Sequence, residues 1–291
     1  MEPSAEFLHA HRYRGTTMKL IESKGARIPA LGFGTARLDD ETCTRAIAQA
    51  LEAGYRHIDT AQGYGNEAAV GRAVAESGLD RAEIFLTTKI SRANLAARDF
   101  RDSVARSLDA LQIEQVDLFL AHWPVAETPL SVVLEALAEI RSAGRARLIG
   151  VSNYTVNQLR EAVETFGADL LTNQVEYHPF LDQRRLLDFA RSQGMTLTAY
   201  CPLAKGTAAR DATLRRIAAK HGKTAAQVTL RWLIEQDGVI AIPQSTDPAR
   251  AAENLRVFDF ALDAQDHAAI AGLAGGRRLV DPAWSPDWDS G

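Results

Sequence analysis

The chain of 291 residues alternates short apolar runs with longer segments of helical periodicity about eight times. This alternation predicts β-strands joined by helices, and therefore a parallel sheet rather than an antiparallel meander. Strands of a parallel sheet are buried on both faces, and the nearly continuous apolar run Val116-Asp-Leu-Phe-Leu-Ala121 is typical of them. The pattern predicts an α/β fold, a (β/α)₈ TIM barrel. The strand candidates are Leu31–Gly34, His57–Asp59, Ile84–Lys89, Asp117–His122, Arg147–Val151, Leu170–Glu176, Thr196–Tyr200 and Val239–Ile242.

The segments between these runs carry apolar residues every three or four positions, which predicts helices with one buried face. Glycines follow successive helical segments just before the next strand. A glycine in the left-handed conformation ends a helix at such a position. These glycines are Gly54, Gly78, Gly144, Gly167 and Gly194.

No linker-like stretch interrupts the pattern, so residues 18–291 are predicted to form a single barrel domain. Lys19–Pro29 is predicted to be an N-terminal β-hairpin. Residues 1–17 lack the apolar core and cleavage site of a signal peptide; they are predicted to be a disordered extension, with Met18 as an alternative start. Two helical segments stand between strands seven and eight and are predicted as extra helices: Ala212–Lys220 and Thr224–Glu235.

Four side chains of different chemistry fall at or just after the ends of predicted strands: Asp59, Tyr64, Lys89 and His122. The carboxyl ends of barrel strands meet at one mouth, so these side chains are expected to converge there. A phenol has an ordinary pKa of roughly 10 and is a weak acid at cell pH. The Lys89 ammonium would lower the pKa of Tyr64 and make it a better proton donor, with Asp59 holding the lysine charged. His122 would orient a substrate oxygen. Taken alone, Asp59 and Lys89 would be only a structural ion pair.

Overall composition excludes several classes of function. The formal net charge is −4 and the sequence pI is about 6.0, so no basic excess predicts nucleic-acid binding. No apolar stretch approaches the roughly 20 residues that span a bilayer, so no membrane association is predicted. Cys43 and Cys201 suggest neither a disulfide framework nor a zinc site, and the reducing cytoplasm is the predicted location. No second ligand stands at metal-binding spacing beside His122, so no metal is predicted.

The sequence around the four residues resembles the aldo-keto reductase family from about Lys19 to the C-terminus. The resemblance implies a carbonyl reductase that uses a nicotinamide cofactor, in which the N-terminal hairpin closes the barrel floor. Among family members, the ending Arg278–Asp289 looks most like the bacterial reductases of 2,5-diketo-D-gluconic acid and methylglyoxal. The matching motifs are Gly54-Tyr-Arg-His-Ile-Asp59-Thr-Ala-Gln-Gly-Tyr64-Gly-Asn-Glu67, Thr88-Lys89, Val116-Asp-Leu-Phe-Leu-Ala-His122-Trp-Pro124, Ser152-Asn153, Asn173-Gln174-Val-Glu-Tyr-His-Pro179, Ala199-Tyr200 and Ile242-Pro-Gln-Ser245.

The cofactor cannot be held by the usual Gly-x-Gly-x-x-Gly turn, because Gly32-Phe-Gly34 continues to Arg37. A barrel can instead bind phosphate at the loops after strands seven and eight. There, residues 244–248 lead into a helix, and a helix N-terminus beside a hydroxyl and a guanidinium suits an anion.

The resemblance assigns individual cofactor contacts. Ser245 and Arg250 would hold the adenosine 2′-phosphate, and Glu253 and Asn254 the adenine. The nicotinamide carboxamide would be held by Ser152, Asn153 and Gln174, with Tyr200 stacked on the ring; the alternative for Ser152-Asn153 is a helix cap. Further cofactor contacts are expected from Gly34, Thr35, Asp59, Leu203, Gln244 and Thr246.

Many relatives have lysine where this chain has Gln244. NADPH is still the expected cofactor because Arg250 is present. Without the lysine, however, the preference for NADPH over NADH is expected to be smaller. Substrate contacts are expected from Tyr64, His122 and Trp123, and Trp284 and Trp288 are either pocket walls or anchors of the C-terminus.

The predicted function is NADPH-dependent reduction of small oxo-aldehydes such as methylglyoxal, or keto-sugars such as 2,5-diketo-D-gluconate, by a monomer. Ala36 and Ser91 replace larger aromatic residues of many relatives, which favours such small or polar substrates. A short-chain dehydrogenase is excluded, since no tyrosine is followed by lysine four residues later. A non-catalytic nucleotide-sensing or structural barrel remains the alternative.

Overall fold

The computed structural model describes residues 11–13, 16–95 and 97–288. Two short antiparallel ladders open the described chain. Most of the extension predicted to be disordered, residues 1–17, lies outside the described residues. The ladders pair β1 (His11–Tyr13) with β2 (Thr16–Met18), and β3 (Leu20–Ser23) with β4 (Ala26–Pro29).

Eight parallel strands form one sheet in which each strand pairs with the next along the chain. The first and last strands also meet. Leu31 bridges Ala241, and the N–H of Gly32 donates to the carbonyl of Ala241 at 2.8 Å. A parallel sheet whose two edges bond to each other is a barrel, so the predicted (β/α)₈ class is confirmed. The strands are β5 (Phe33–Gly34), β6 (His57–Asp59), β7 (Phe85–Ile90), β8 (Val116–Ala121), β9 (Ala146–Ser152), β10 (Thr172–Glu176), β11 (Thr196–Tyr200) and β12 (Val239–Ala241).

Helices cover the outside of this barrel. The predicted glycine stops are confirmed: Gly54 ends α1 with φ +118°, and the other four glycines also have positive φ. Helices α7 and α8 lie between β11 and β12. The helices are α1 (Asp40–Ala53), α2 (Glu67–Glu76), α3 (Ala97–Leu111), α4 (Leu130–Ser142), α5 (Val156–Arg160), α6 (Arg184–Ser192), α7 (Ala212–His221), α8 (Ala225–Glu235), α9 (Pro248–Leu255) and α10 (Ala264–Ala271).

The two ends of the barrel carry different chemistry. At the amino end of β8, the buried carboxylate of Asp117 pairs with Arg81 at 2.6 Å and Arg147 at 2.7 Å. At the carboxyl ends, Asp59 closes β6, Lys89 is next to last in β7 and His122 follows β8. None of the described helices is long and apolar enough to cross a membrane.

Candidate active site

A buried ion pair lies at the carboxyl ends of β6 and β7. Lys89 Nζ donates to Asp59 Oδ1 at 2.5 Å, and neither side chain is more than 2% exposed. Nζ also donates to the carbonyl of Thr60 at 2.9 Å and to Tyr64 Oη at 3.3 Å. Burial lowers the pKa of Lys89, but Asp59 and Tyr64 outweigh it and leave that pKa above its ordinary value. Lys89 is therefore an ammonium whose three protons are aimed at three oxygens.

Tyr64 ends a 3₁₀ turn, Gln62–Tyr64, just beyond β6. Its hydroxyl oxygen accepts the hydrogen bond from Lys89, so Tyr64 lies beside the ion pair as predicted. Lys89 acts on the pKa of Tyr64 in the predicted direction, but burial has the larger effect. Burial raises the pKa of Tyr64 more than Lys89 lowers it, and the negative charge of Asp59 raises it further. The phenol is therefore neutral at cell pH and keeps its proton until a reaction takes it.

His122 lies against Tyr64, with ring centroids 5.6 Å apart and the rings nearly perpendicular. Burial, together with the charge of Lys89, lowers the pKa of His122 to about 3. The imidazole is neutral at cell pH, so one ring nitrogen donates and the other accepts. A neutral ring beside a phenol can orient an oxygen without contributing a full charge.

A hydrogen-bond network joins the remaining strands to this group. Gln174 Nε2 donates to Asp59 Oδ2 at 2.7 Å, and Ser152 Oγ donates to the carbonyl of Gln174 at 2.8 Å. Asn153 Nδ2 donates to the carbonyl of His122 at 3.0 Å, and Asn153 Oδ1 accepts from Tyr200 Oη at 2.8 Å. Gln174 and Ser152 thus lie one and two hydrogen bonds from the ion pair, while Asn153 joins Tyr200 to the backbone of His122.

Asn153 holds its backbone at φ +66°, a left-handed conformation that asparagine tolerates better than most residues. The helix-cap alternative for Ser152-Asn153 is wrong. The cap of α5 is Thr155, whose side chain accepts from the N–H of Gln158. Asn153 is therefore free to join the carbonyl of His122 to Tyr200.

A groove of about 840 Å³ begins at Cys201, next to Tyr200, and continues outward between α7, α8 and the loop after β12. Cationic side chains in its lining outnumber its one carboxylate, which suits a phosphate-bearing ligand. Of the expected cofactor contacts, the lining includes Leu203, Gln244, Ser245, Arg250, Glu253 and Asn254.

The other expected cofactor contacts lie elsewhere. Gly34 and Thr35 sit at the end of β5, where the Thr35 N–H and Oγ1 both donate to the carbonyl of Asp59 at 3.0 Å. Thr246, on the loop after β12, is exposed and lies outside the lining of the groove. These residues therefore border the reaction centre or the surface rather than the groove itself.

The start of α9, where the sequence predicted an anion site, differs from that prediction in one respect. The Asp247 carboxylate accepts from the N–H groups of Ala249 and Arg250, so the first turn of α9 is already capped. An anion at this place would have to be held by side chains, above all Arg250, which is 78% exposed and 3.4 Å from Asp247. Gln244 Nε2 donates to the carbonyl of Ala36 at 2.7 Å and so links the loops after β12 and β5.

Sequence reasoning missed two residues that shape the site. Gln62 fixes the turn that carries Tyr64: its Oε1 accepts from the N–H of Ser91 at 2.9 Å, and its Nε2 donates to Ser107 Oγ at 2.9 Å. Its place between Asp59 and Tyr64 in the motif was the available signal. Lys205 lines the groove on a loop where Cys201, Ala204 and Lys205 itself all have positive φ. Strained backbone of this kind is common at binding sites, but no sequence pattern predicts it here.

The tryptophans at the mouth form one cluster. Trp284 packs edge-on against Trp123 with centroids 4.8 Å apart, and Trp288 lies 6.1 Å from the same ring. Trp123 is only 7% exposed beneath them, whereas Trp284 is 45% exposed. The C-terminal tryptophans therefore cover much of the surface that Trp123 was expected to present. No group of three or more metal-ligating side chains is found within residues 11–13, 16–95 and 97–288.

The sequence profile of the Aldo/keto reductase family matches residues 30–274, a span that contains the buried Asp–Lys pair, Tyr64 and the residues that line the groove. The chain belongs to this family and is an oxidoreductase that acts on carbonyl groups.

Individual relatives agree with that assignment. The chain is 44% identical over 266 residues to methylglyoxal reductase DkgB of Salmonella typhimurium, covering 90% of this chain and 99% of the relative. It is 43% identical over 256 residues to an aldo-keto reductase of Mycobacterium sp. (strain KMS), covering 88% and 92%. A crystal structure described as that of a candidate 2,5-diketo-D-gluconic acid reductase B superposes with a TM-score of 0.91 at 46% identity, covering 94% of this chain and 98% of that one.

Proposed function

We propose that the protein reduces small aldehydes and ketones with NADPH, and that methylglyoxal and 2,5-diketo-D-gluconate are the substrates to test first. The names of the similar proteins support this choice of substrates. The observation that carries the proposed chemistry is the position of Lys89 Nζ, which is 2.5 Å from Asp59 Oδ1 and 3.3 Å from Tyr64 Oη.

In this proposal Tyr64 is the proton donor. A nicotinamide held by Ser152, Asn153, Gln174 and Tyr200 would supply the hydride, which no side chain can supply. Tyr64 Oη gives its proton to the carbonyl oxygen as negative charge develops there. General acid assistance of this kind contributes roughly 10² to 10⁴ in rate.

Lys89 and Asp59 support that transfer. Phenolate character grows on Tyr64 as its proton leaves, and the adjacent ammonium stabilises the growing charge. Asp59 keeps Lys89 charged in a site where a lone ammonium would be costly to bury. The neutral imidazole of His122 donates a hydrogen bond to the same substrate oxygen and orients it toward Tyr64.

The proposed preference for NADPH depends on Arg250 and Ser245, which line the outer end of the groove. An exposed guanidinium can bind a 2′-phosphate bidentately, and NADH offers no such group. Ser152, Asn153, Gln174 and Tyr200 are proposed to face the nicotinamide. A monomer is proposed as the working form. The reducing cytoplasm is proposed as its location, in keeping with the two free thiols of Cys43 and Cys201.

Steady-state oxidation of NADPH and of NADH by the purified protein tests this proposal, with methylglyoxal and 2,5-diketo-D-gluconate as substrates. Turnover with a higher kcat/KM for NADPH is the expected result. Equal kcat/KM for the two cofactors would refute the cofactor preference. If the protein binds cofactor but turns over neither substrate, the substrate assignment is refuted. That result would favour the alternative of a non-catalytic nucleotide-sensing protein.

A further inference from the structure

The C-terminal segment, defined here as Arg278–Trp288, is bound at its beginning by both oxygens of one carboxylate, that of Glu176. The N–H of Leu279 donates to Glu176 Oε1 at 2.7 Å, and the N–H of Val280 donates to Glu176 Oε2 at 2.7 Å. Each oxygen of one side chain thus accepts from one of two successive backbone groups. This arrangement fixes both the position and the direction of the chain where the segment begins.

Glu176 is 0% exposed, so its charge must be compensated within the protein. His178 Nε2 lies 2.9 Å from Glu176 Oε1 and supplies a third hydrogen bond. Burial raises the pKa of Glu176, but the bonds from His178, Leu279 and Val280 outweigh it and leave that pKa below its ordinary value. The carboxylate stays ionised, and its bonds to the segment are charge-assisted.

Glu176 belongs to the same strand face as a residue of the reaction centre. Side chains two positions apart on a strand point to the same side. On β10, Gln174 bonds to Asp59 at 2.7 Å, and Glu176, one step nearer the mouth, bonds to the C-terminal segment. One strand therefore joins the buried ion pair to the segment above it.

The far end of the segment reaches the mouth. Trp284 packs on Trp123, the residue after His122, and the guanidinium of Arg92 lies 4.2 Å from the ring of Trp284. Trp288 Nε1 donates to Asp281 Oδ1 at 2.8 Å, which folds the segment back on itself. The placement of these rings depends on where Leu279 and Val280 are held.

The same place on the segment also contacts the cofactor groove. Lys205, in the groove lining, donates from Nζ to the carbonyl of Leu279 at 2.9 Å. Leu279 is thus held through its N–H by Glu176 and through its carbonyl by the groove loop. Leu279 therefore connects the strand that carries Glu176 to the loop that lines the groove.

We propose that Glu176 is a positioning residue for carbonyl reduction: its buried carboxylate anchors Leu279 and Val280 and so places the tryptophan-bearing segment over the substrate. This inference rests on the proposed function for its kinetic consequence. Glu176 touches neither Tyr64 nor His122, and its effect is transmitted through the segment. Losing the anchor therefore weakens substrate binding more than it slows the chemical step.

Limited trypsin digestion followed by intact mass spectrometry tests the anchor without any substrate. The segment begins beside Arg277 and Arg278, two trypsin sites. In Glu176→Ala and Glu176→Gln, cleavage at these sites is expected to be faster by about tenfold or more, since hydrogen bonds to a charged group are lost. Asp117→Asn is the matched control, because Asp117 is also a buried carboxylate that accepts from a backbone N–H and from cations, at the opposite end of the barrel.

A second variant leaves Glu176 intact and removes one of its donors. Val280→Pro deletes the N–H that bonds to Oε2 and is expected to accelerate the same cleavage. It keeps the proposal testable where a substitution at Glu176 prevents folding. The anchoring role of Glu176 would be overturned if folded Glu176→Ala or Val280→Pro protein were cleaved after Arg277 and Arg278 at the parent rate.

Kinetics with methylglyoxal then test the positioning role. Glu176→Gln is expected to raise KM by about tenfold with a much smaller change in kcat. Combined with Trp284→Ala, its effect on KM should be less than additive, because both changes act through one segment. A lower kcat at unchanged KM, or full additivity, would overturn the role. Absence of turnover in the parent protein would contradict the proposed function, while the digestion result would still decide the anchor.

Discussion

Replacement of Lys89 by methionine removes one charge from the buried ion pair and separates its two roles. Methionine fills a similar volume but leaves the Asp59 carboxylate, only 2% exposed, without its cation. Breaking a buried pair in this way costs about 3–5 kcal/mol of unfolding free energy. We expect Lys89→Met to lower Tm by several degrees.

The same substitution removes the charge beside Tyr64. At 3.3 Å and an effective dielectric constant of about 20, an ammonium stabilises a full phenolate charge by about 5 kcal/mol. About half of that charge develops in a transition state with the proton half transferred. The loss is then about 2.5 kcal/mol, or roughly 70-fold in kcat, near the lower end of general acid assistance.

The double variant Asp59→Asn/Lys89→Met distinguishes stability from catalysis. It buries no unpaired charge, and Gln174 can still bond to the new amide. We expect Tm to recover by at least half of the loss in Lys89→Met, while kcat with methylglyoxal stays as low. Thermal unfolding and steady-state assays of the parent, both single variants and the double variant form a complete cycle. A double variant that regains turnover, or Lys89→Met with parental kcat, would refute the assigned role of Lys89.

Two further predictions concern protonation and cofactor choice. Because the pKa of His122 is lowered to about 3, its ring should stay neutral from about pH 5 to 8 in the NMR spectrum of histidine-labelled protein; a midpoint near 6.5 would contradict the account. The unfolded chain protonates His122 below about pH 6.5 and the folded chain does not, so this residue makes the free energy of unfolding fall as the pH drops from about 6.5 toward 3. Arg250→Ala should lower kcat/KM for NADPH by about tenfold and leave kcat/KM for NADH nearly unchanged. Gln244→Lys should raise the ratio of kcat/KM for NADPH to kcat/KM for NADH. Equal losses with both cofactors in Arg250→Ala would show that the guanidinium does not bind a 2′-phosphate.

The barrel was predictable because its signals are local. Each buried strand is a short apolar run, and a glycine such as Gly54 ends the preceding helix wherever a left-handed residue is needed. The rule that barrel strands carry function at their carboxyl ends then placed Asp59, Lys89 and His122 together. The first strand was less accurately predicted, because Leu31 is joined to Ala241 across the closure and only Phe33–Gly34 pair as a strand. Barrel closure is a long-range contact that a local pattern does not report.

What the sequence left out at the site comes from contacts between distant parts of the chain. Lys89 lowers the pKa of Tyr64 as predicted, but the burial that outweighs this effect depends on how the whole barrel mouth packs. Likewise, the sequence placed hydroxyl and cationic groups before α9, yet the carboxylate of Asp247 takes the first N–H groups of that helix. The bonds between Glu176 and the C-terminal segment join positions 103 and 104 residues apart, and no sequence spacing indicates them.

The most direct test of the account is the Tyr64→Phe variant, measured for NADPH oxidation with methylglyoxal and, separately, for NADPH binding by fluorescence. Phenylalanine keeps the ring that packs against His122 and removes only the hydroxyl that meets Lys89. If Tyr64 donates the proton, kcat falls by roughly 10² to 10⁴ while the Kd for NADPH stays nearly unchanged. Parental turnover in this variant, or a loss of cofactor affinity as large as the loss of turnover, would contradict the assignment of Tyr64 as the proton donor.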